Sequence, residues 1–459
     1  MIFNKVVGVI THVFNINRHD VNLDLGYQQI QEWDSLNHIR LMLALENEFD
    51  IKIDENTVLA LTSVANICTF LKNQNDSTII QELHKQAQSK SQIEGVYRGL
   101  NGVFYDYSTI CLIDGINGKL FYRGYPIENL VENYCFEEII SLLLLKRLPD
   151  NELLNMVKLQ LYEINKLPKK IVNLIKESRE FKPIEMIKLV IAYYSGMDSS
   201  YNTANMDIIA VAFRMFNLIP LIIGQHNLFR NGIDKIATLN PKWSYAKNVL
   251  FLLTMEEPNS EAENYFDKDL ILHAEHDSNA STFVARICTS TKSAPLSCLL
   301  AAISAFSGEL HGGALEQVAQ MMQQIDKPKN VEKYIMHRLE NQLPVYGYGH
   351  RIYKTLDPRA KYMDTVAKQL SIDKGNTDYY EILHRISACM KPYSDHGIYP
   401  NVDFYDAVIY KLLNITDDLF LPAFIISRLA GWFAHMEEQH GNNILIRPKL
   451  KFKEFNNEK

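Results

Sequence analysis

Apolar residues return at helical spacing along most of the chain, and the breaks in that pattern mark its divisions. In EWDSLNHIRLMLALENEFDIKID (residues 32–54), Leu36, Ile39 and Leu43 stand at i, i+3, i+7, and so do Met42, Leu45 and Phe49. Two adjacent stripes of this kind predict a helix packed in a small bundle. Asp34 suits the N-cap and places Ser35 in the first turn, where free amide donors and the helix dipole favour a phosphate. The stretch NQNDSTIIQELHKQAQSKSQ (residues 73–92) is polar with weak periodicity and reads as a linker, set at 75–94. From Gly95 onward long helical patterns alternate with short loops. The longest apolar stretch, Leu419–Trp432, is interrupted by Pro422 and Arg428 and falls short of a ~20-residue membrane span.

Composition agrees with a helical protein. Only 20 of 459 residues are Gly, below the usual ~7%, which leaves few places for tight hairpins or backbone phosphate cradles. The net charge of −7 argues against a nucleic-acid partner, which needs a basic face. Nine acids against five bases put −4 of it in the first 75 residues. Six scattered cysteines without a C-x-x-C pair suit free, mostly buried thiols in a reducing compartment. The N-terminus is a poor signal peptide, so a soluble, cytoplasmic protein with no membrane partner is expected.

Four clusters after residue 95 carry candidate chemistry. In LILHAEHDSNAST, His273 and His276 lie three apart, on one side of a predicted helix. H-x-x-H occurs in metal sites, but a complete ligand set is missing nearby, and no metal is expected. In GELHGGALEQVAQMM, His311 enters a helix through Gly312 and Gly313, which would let a substrate approach the backbone closely. VYGYGHRIYKTLDPRAK holds His350, Arg351, Lys354 and Arg359. In YPNVDFYDAVIYKLL, Asp403 begins a helix behind Pro400. Arg428 sits in an apolar helix (FIISRLAGW) and Arg447 in a late loop (ILIRPKL). A buried arginine is costly unless paired with an anion. Several Arg and His therefore describe a pocket for a small di- or tricarboxylate, which the planar guanidinium fork meets with two parallel hydrogen bonds. One carboxylate beside neutral histidines suits proton abstraction next to a carbonyl.

The same strings, in the same order from about Gly95 to Arg447, resemble the citrate synthase family. So does the opening YRGLNGVFYDYSTICLIDGINGKLFYRGYPIENL, which is similar to the family's N-terminal strands and first helices. The resemblance implies an almost wholly helical enzyme with a large domain (95–311 and 413–459) and a small domain (312–412) that closes over the substrates. It implies Asp403 as the base that deprotonates an acyl thioester, His311 as the group that stabilises the enol, and His350 as the group that polarises and protonates the ketone of oxaloacetate. His276, Arg359 and Arg428 would bind oxaloacetate, and Arg447 would reach the pocket of a second subunit in a homodimer. Some positions depart from the family pattern. The acids of H-x-D-H-E are exchanged (Glu275, Asp277), Glu309 replaces a common Pro, and Leu315 replaces an amide whose loss could free His311 from a bond that fixes its tautomer.

Residues 1–74 resemble an acyl carrier protein, through Asp34-Ser35-Leu36 and the acidic helix after it. That implies a four-helix bundle with 4'-phosphopantetheine on Ser35, a phosphopantetheinyl transferase and an acyl-loading enzyme as partners, and an all-α chain overall. Arg351 and Lys354 could meet either the diphosphate of coenzyme A or the phosphate on Ser35. The expected activity is condensation of an acyl thioester with oxaloacetate followed by thioester hydrolysis, with the acyl group presented on the fused carrier. The alternatives are a conventional citrate or 2-methylcitrate synthase using acyl-CoA, or a degenerate dimeric scaffold for the carrier.

Overall fold

The structure is a computed structural model. It describes residues 2–72 apart from 28, 31 and 34, and residues 97–452 apart from 101, 198–206, 342 and 351. Asp34, Arg351 and the 75–94 linker therefore lie outside the described residues. Ser35 is placed in a helix without description of its side chain.

Four helices come first: α1 (Ile2–Phe14), α2 (Ser35–Phe49), α3 (Glu55–Ala60) and α4 (Val64–Lys72). The periodicity read from the sequence is what they bury. Val6, Ile10 and Phe14 of α1 share one core with Ile39, Met42 and Leu45 of α2 and Ile67 and Phe70 of α4. Trp33 is buried in this core, and its indole Nε1–H donates to His38 Nδ1 at 3.0 Å. His38 Nε2 meets Val58 O at 3.1 Å, so one neutral tautomer ties α2 to α3.

A three-stranded antiparallel meander follows, β1 (Cys111–Asp114), β2 (Lys119–Tyr122) and β3 (Tyr125–Pro126). It falls in the stretch whose resemblance implied N-terminal strands, and it leaves the chain mainly helical: Asp114 caps the β1–β2 turn by accepting from Ile116 N and Asn117 N, and that local bonding favours a hairpin over another helical turn.

The remainder is helical. In chain order it runs α5 (Ile127–Asn133), α6 (Phe136–Leu145), α7 (Asn151–Leu161), α8 (Lys169–Glu177), α9 (Pro183–Met197), α10 (Ile208–Arg230), α11 (Tyr245–Thr254), α12 (Ser260–His273), α13 (Ala280–Ser290) and α14 (Pro295–Phe306). Then come α15 (Gly313–Ile325), α16 (Val331–Glu340), α17 (Pro358–Asp373), α18 (Asp378–Cys389), the short α19 (Lys391–Ser394), α20 (Val402–Leu412) and α21 (Phe420–Gly441). Two helices of the described residues are apolar enough to cross a membrane by length and composition, Ile208–Arg230 and Asp417–Gly441. Their apolar faces are spent inside the molecule, where α10 and α21 form the centre of one continuous core. All six cysteines are free; Cys68 and Cys298 are buried and the other four half-buried.

Candidate active site

Helix α12 ends at His273, with Ala274 as its C-cap, so His273 and His276 do not share a helix face. The sequence expectation missed this because H-x-x-H spacing says nothing about where the helix stops. The stop is made by α21: Gly431 N donates to Ala274 O at 3.0 Å, and a Cβ on Gly431 would fall on that oxygen and on the Glu275 carboxylate. The 274–279 loop is thus pressed onto α21 where only glycine fits. Asn279 then caps α13. His276 is turned into the interior, its Nε2 without a hydrogen-bond partner among the described residues.

His276 faces His350 with ring centroids 5.3 Å apart, and Tyr353 closes the triangle at 5.7 Å and 4.8 Å. His350 Nδ1 accepts from the backbone N–H groups of Ile352 and Tyr353 at 3.0 and 3.1 Å. An Nδ1 that accepts leaves the proton of a neutral ring on Nε2. Burial, with help from Arg359 and Lys354 against an opposing Asp357, pushes His350 down to about 4. Burial first, then Arg359 and His350, holds His276 well below the ordinary histidine range. Both rings are neutral near pH 7.

Two buried guanidinium groups border this pocket. The Nε and Nη2 of Arg359 form a two-pronged contact with Asp357 at 3.1 and 2.7 Å, while the same carboxylate caps α17. One edge of the fork is therefore spent on the protein. Arg428 donates from Nε to His273 O at 2.7 Å and stacks over Phe424. Burial, aggravated by Arg359 and relieved by Glu275, lowers it to about 10, so it stays charged at neutral pH. Glu275 itself pairs with His435 at 3.1 Å, and His435 leans on Arg286, which is held by Glu438 and Asp106. The exchange of acids in this motif puts the longer one inside, where it reaches His435, and leaves Asp277 half-buried at a positive φ of 52°.

His311 stands before α15, with Gly312 as N-cap. A Cβ on Gly312 would collide with Leu421 and the Phe306 carbonyl. This glycine therefore serves close packing within the protein, a different reason from the substrate approach expected from the sequence. Leu315 is buried in the core, and the His311 ring is fixed from another side. Ser281 N–H donates to His311 Nε2 at 3.3 Å, Ser281 Oγ lies 3.0 Å from the same nitrogen, and Trp432 Nε1–H donates to that Oγ. Loss of the amide at 315 thus leaves the tautomer defined. With Nε2 accepting, the proton sits on Nδ1. Burial and then Arg428 lower His311 to about 4.

Asp403 lies in the first turn of α20 and is partly exposed. Burial raises its carboxyl, opposed by His273, Arg359 and Arg428. The His350 loop and the start of α20 are stitched together: Asn401 N donates to Gly347 O at 2.9 Å, and Asn401 Nδ2 to Gly349 O at 3.1 Å. Lys354 is exposed beside the pocket loop. Arg447 is exposed on a segment anchored by Ile446 N to Ser290 Oγ. Tyr353, Asp357, Ser281 and Trp432 were not singled out from sequence. D-P-R, with its ready-made cap beside an arginine, was the one readable signal among them.

Buried neutral histidines, a carboxylate at a helix start and two buried arginines are the equipment of a helical acid–base enzyme. The comparisons are specific. Residues 99–449 match the family model for the citrate synthase C-terminal domain. Citrate synthase 2 of Bacillus subtilis is 39% identical over 77% of this chain and 95% of its own length. 2-Methylcitrate synthase 2 of Corynebacterium glutamicum is 36% identical over 79% of this chain and 96% of its own. The citrate synthase of Thermoplasma acidophilum, in ternary complex with carboxymethyl coenzyme A and oxaloacetate, superposes with a TM-score of 0.73 at 28% identity, covering 79% of this chain and 97% of that one. The chain belongs to the citrate synthase family. The match begins at residue 99, so α1–α4 lie outside it.

Proposed function

We propose that the protein condenses an acyl thioester of coenzyme A with oxaloacetate and hydrolyses the resulting thioester, as a citrate or 2-methylcitrate synthase. The observation that carries this reading is the pair of buried arginines, Arg359 and Arg428, beside the unpartnered His276 Nε2. Arg428, buried and with the charge of Arg359 lowering its affinity for a proton, calls for an anion beside it. Arg359 and Arg428 take the two carboxylates, and His276 is offered to the oxygen between them. The His350 Nε2–H polarises the ketone and protonates it as the new carbon–carbon bond forms. Asp403 takes the proton from the thioester's methyl or methylene, and the His311 Nδ1–H meets the developing enolate oxygen. Water then cleaves the thioester, releasing thiol and product. A homodimer completes the site, with Arg447 reaching the partner's pocket from its exposed segment.

Thiol release with acetyl-CoA and propionyl-CoA tests the reading, in the presence and absence of oxaloacetate. Asp403→Asn should lower kcat by about 10²–10⁴-fold; a fully active variant sinks the assignment. Mixed dimers of Asp403→Asn and Arg447→Leu chains should regain activity that neither parent has.

A second reading, in which the acyl group arrives on a phosphopantetheine arm at Ser35, is favoured by one feature. Helix α2 starts at Ser35, and its own face is set against the enzyme, with Glu46 Oε2 3.6 Å from His396 Nε2. A helix start with Lys354 close enough to act on His38 is suited to a phosphodiester. The arm would supply a tethered thioester, and the linker would keep its local concentration high. Acyl transfer from a loaded carrier, abolished in Ser35→Ala while turnover of acyl-CoA persists, would establish it. Equal turnover of both donors in Ser35→Ala would dismiss it.

A further inference from the structure

His273 is fully buried and is not among the substrate-binding or proton-transferring residues above. It closes α12, directly before the loop that carries His276. Its Nε2 lies 2.8 Å from Asp406 Oδ2, and its Nδ1 lies 3.3 Å from Asp269 Oδ1 and 2.9 Å from Asp269 O. Tyr410 Oη donates to the other Asp269 oxygen at 2.8 Å, and the Phe424 ring meets the imidazole edge-on at 4.2 Å. Donor atoms of Asp269, His273 and Asp406 all fall within 4.8 Å of one another. The two carboxylates meet opposite ring nitrogens, however, and one imidazole cannot turn both nitrogens to a single metal ion. A carboxylate oxygen within ion-pair distance of each ring nitrogen suits an imidazolium.

Asp406 is one helical turn from Asp403, so the two share a face of α20. We propose that His273 is a positioning residue for the condensation, a fixed buried cation that docks the helix of Asp403 through Asp406 and favours the ionised form of the catalytic base. The inference rests on Asp403 being that base. The groups facing His273 are Asp269 on its own helix, Asp406, Asp403 and Tyr410 on α20, Arg428 on α21, and His276 in the next loop. Those acting on Asp403 besides His273 are Arg359, Arg428 and Asp357. Burial works against charge on His273, but Asp406 and Asp269 outweigh it and raise the ring.

The signs follow from charge. Without the cation, Asp403 faces two uncompensated anions and binds its proton more tightly. Without Asp406, the cation is held by Asp269 alone and its pull on Asp403 is less opposed. The test is the acid limb of kcat/KM for the acyl thioester against pH. His273→Gln should move that limb up by ~1 pH unit or more, and Asp406→Asn should move it down. The double variant should fall between them. Oxaloacetate affinity, read separately by equilibrium binding, should change little. A purely structural role predicts a uniform loss of kcat with the limb unmoved, or both limbs displaced the same way, and either result overturns the proposal. If His273→Gln fails to fold, Asp406→Asn alone decides: a downward shift supports the inference and an unmoved limb rejects it. An active Asp403→Asn would instead dismiss the base assignment, whatever His273 does.

Discussion

His350 and His311 are both held neutral, yet with opposite nitrogens protonated. Two backbone N–H groups fix Nδ1 of His350 as an acceptor, whereas Ser281 fixes Nε2 of His311. Each ring thus presents one N–H whose position is set by the protein before substrate arrives, and such preorganised donors do not have to reorient as charge develops. Since burial takes both rings down to about 4, neither changes charge near neutral pH. Ser281 carries much of this arrangement, because it receives Trp432 and bonds His311 through both its amide and its hydroxyl. Ser281→Ala keeps the amide and loses the hydroxyl. Expected is a fall in kcat of ~10-fold with a smaller change in the oxaloacetate KM, since the hydroxyl lies against His311 and reaches the His276 loop only through Asn279. A rise in KM with kcat intact would place Ser281 in binding instead.

At the scale of elements, sequence patterns revealed helices better than their ends. The stripe through Ile39, Met42 and Leu45 is buried as expected, because helical periodicity and burial are the same fact seen twice. The end of α12 at His273 was hidden, since Gly431 on α21 imposes it from more than 150 residues away. In the same way Arg359 was legible as a buried cation, while the share of its fork given to Asp357 depended on a cap geometry that a string of letters does not show. The histidine inside the N-terminal bundle has a readable consequence. Burial, opposed by the bond to Val58 and assisted by Lys354, lowers His38 from 6.5 to about 4. A folded value below the unfolded one means that its contribution to stability is complete above about pH 6.5 and is lost as pH falls toward 4. Such a shift corresponds to about 3 kcal/mol at the acid end. Acidification from pH 7 to 4 should therefore loosen α1–α4, followed by Trp33 emission in a chain whose Trp243 and Trp432 are replaced by Phe. His38→Gln should flatten the transition; an unchanged transition would remove His38 as its cause.

At the scale of the molecule, the N-terminal helices are seated on the strip that links two proposed catalytic residues. Ile398 is buried in the core of α1–α4, and Tyr348 and Tyr393 pack against both cores. The strip beneath is continuous: Tyr348 bridges Pro400, and Gly349 N donates to Tyr399 O at 2.8 Å. It carries His350 at one end and leads into Asp403 at the other, with the Tyr348 and Phe404 rings 5.1 Å apart. Glu46 ties the same face, accepting from Ile53 N at 2.8 Å while it faces His396. More than half of the chain's net charge, −4 of −7, sits in the first 75 residues, and here Glu46 of the acidic helix is turned to His396 of the same chain. Ile398→Asp would place a carboxylate in that apolar core, at a cost of several kcal/mol if the bundle stays docked, so undocking is the cheaper response. Expected are faster proteolytic separation of the N-terminal helices and a kcat with acetyl-CoA reduced by ~3–10-fold, while oxaloacetate binding, proposed above to rest on Arg359 and Arg428, is retained. Glu46→Ala should give a weaker version of the same change, because it removes one 3.6 Å contact to His396 and leaves Ile398 in its apolar core. Unaltered kcat in an Ile398→Asp chain with demonstrably released helices would mean that the bundle rests on the catalytic strip without supporting it.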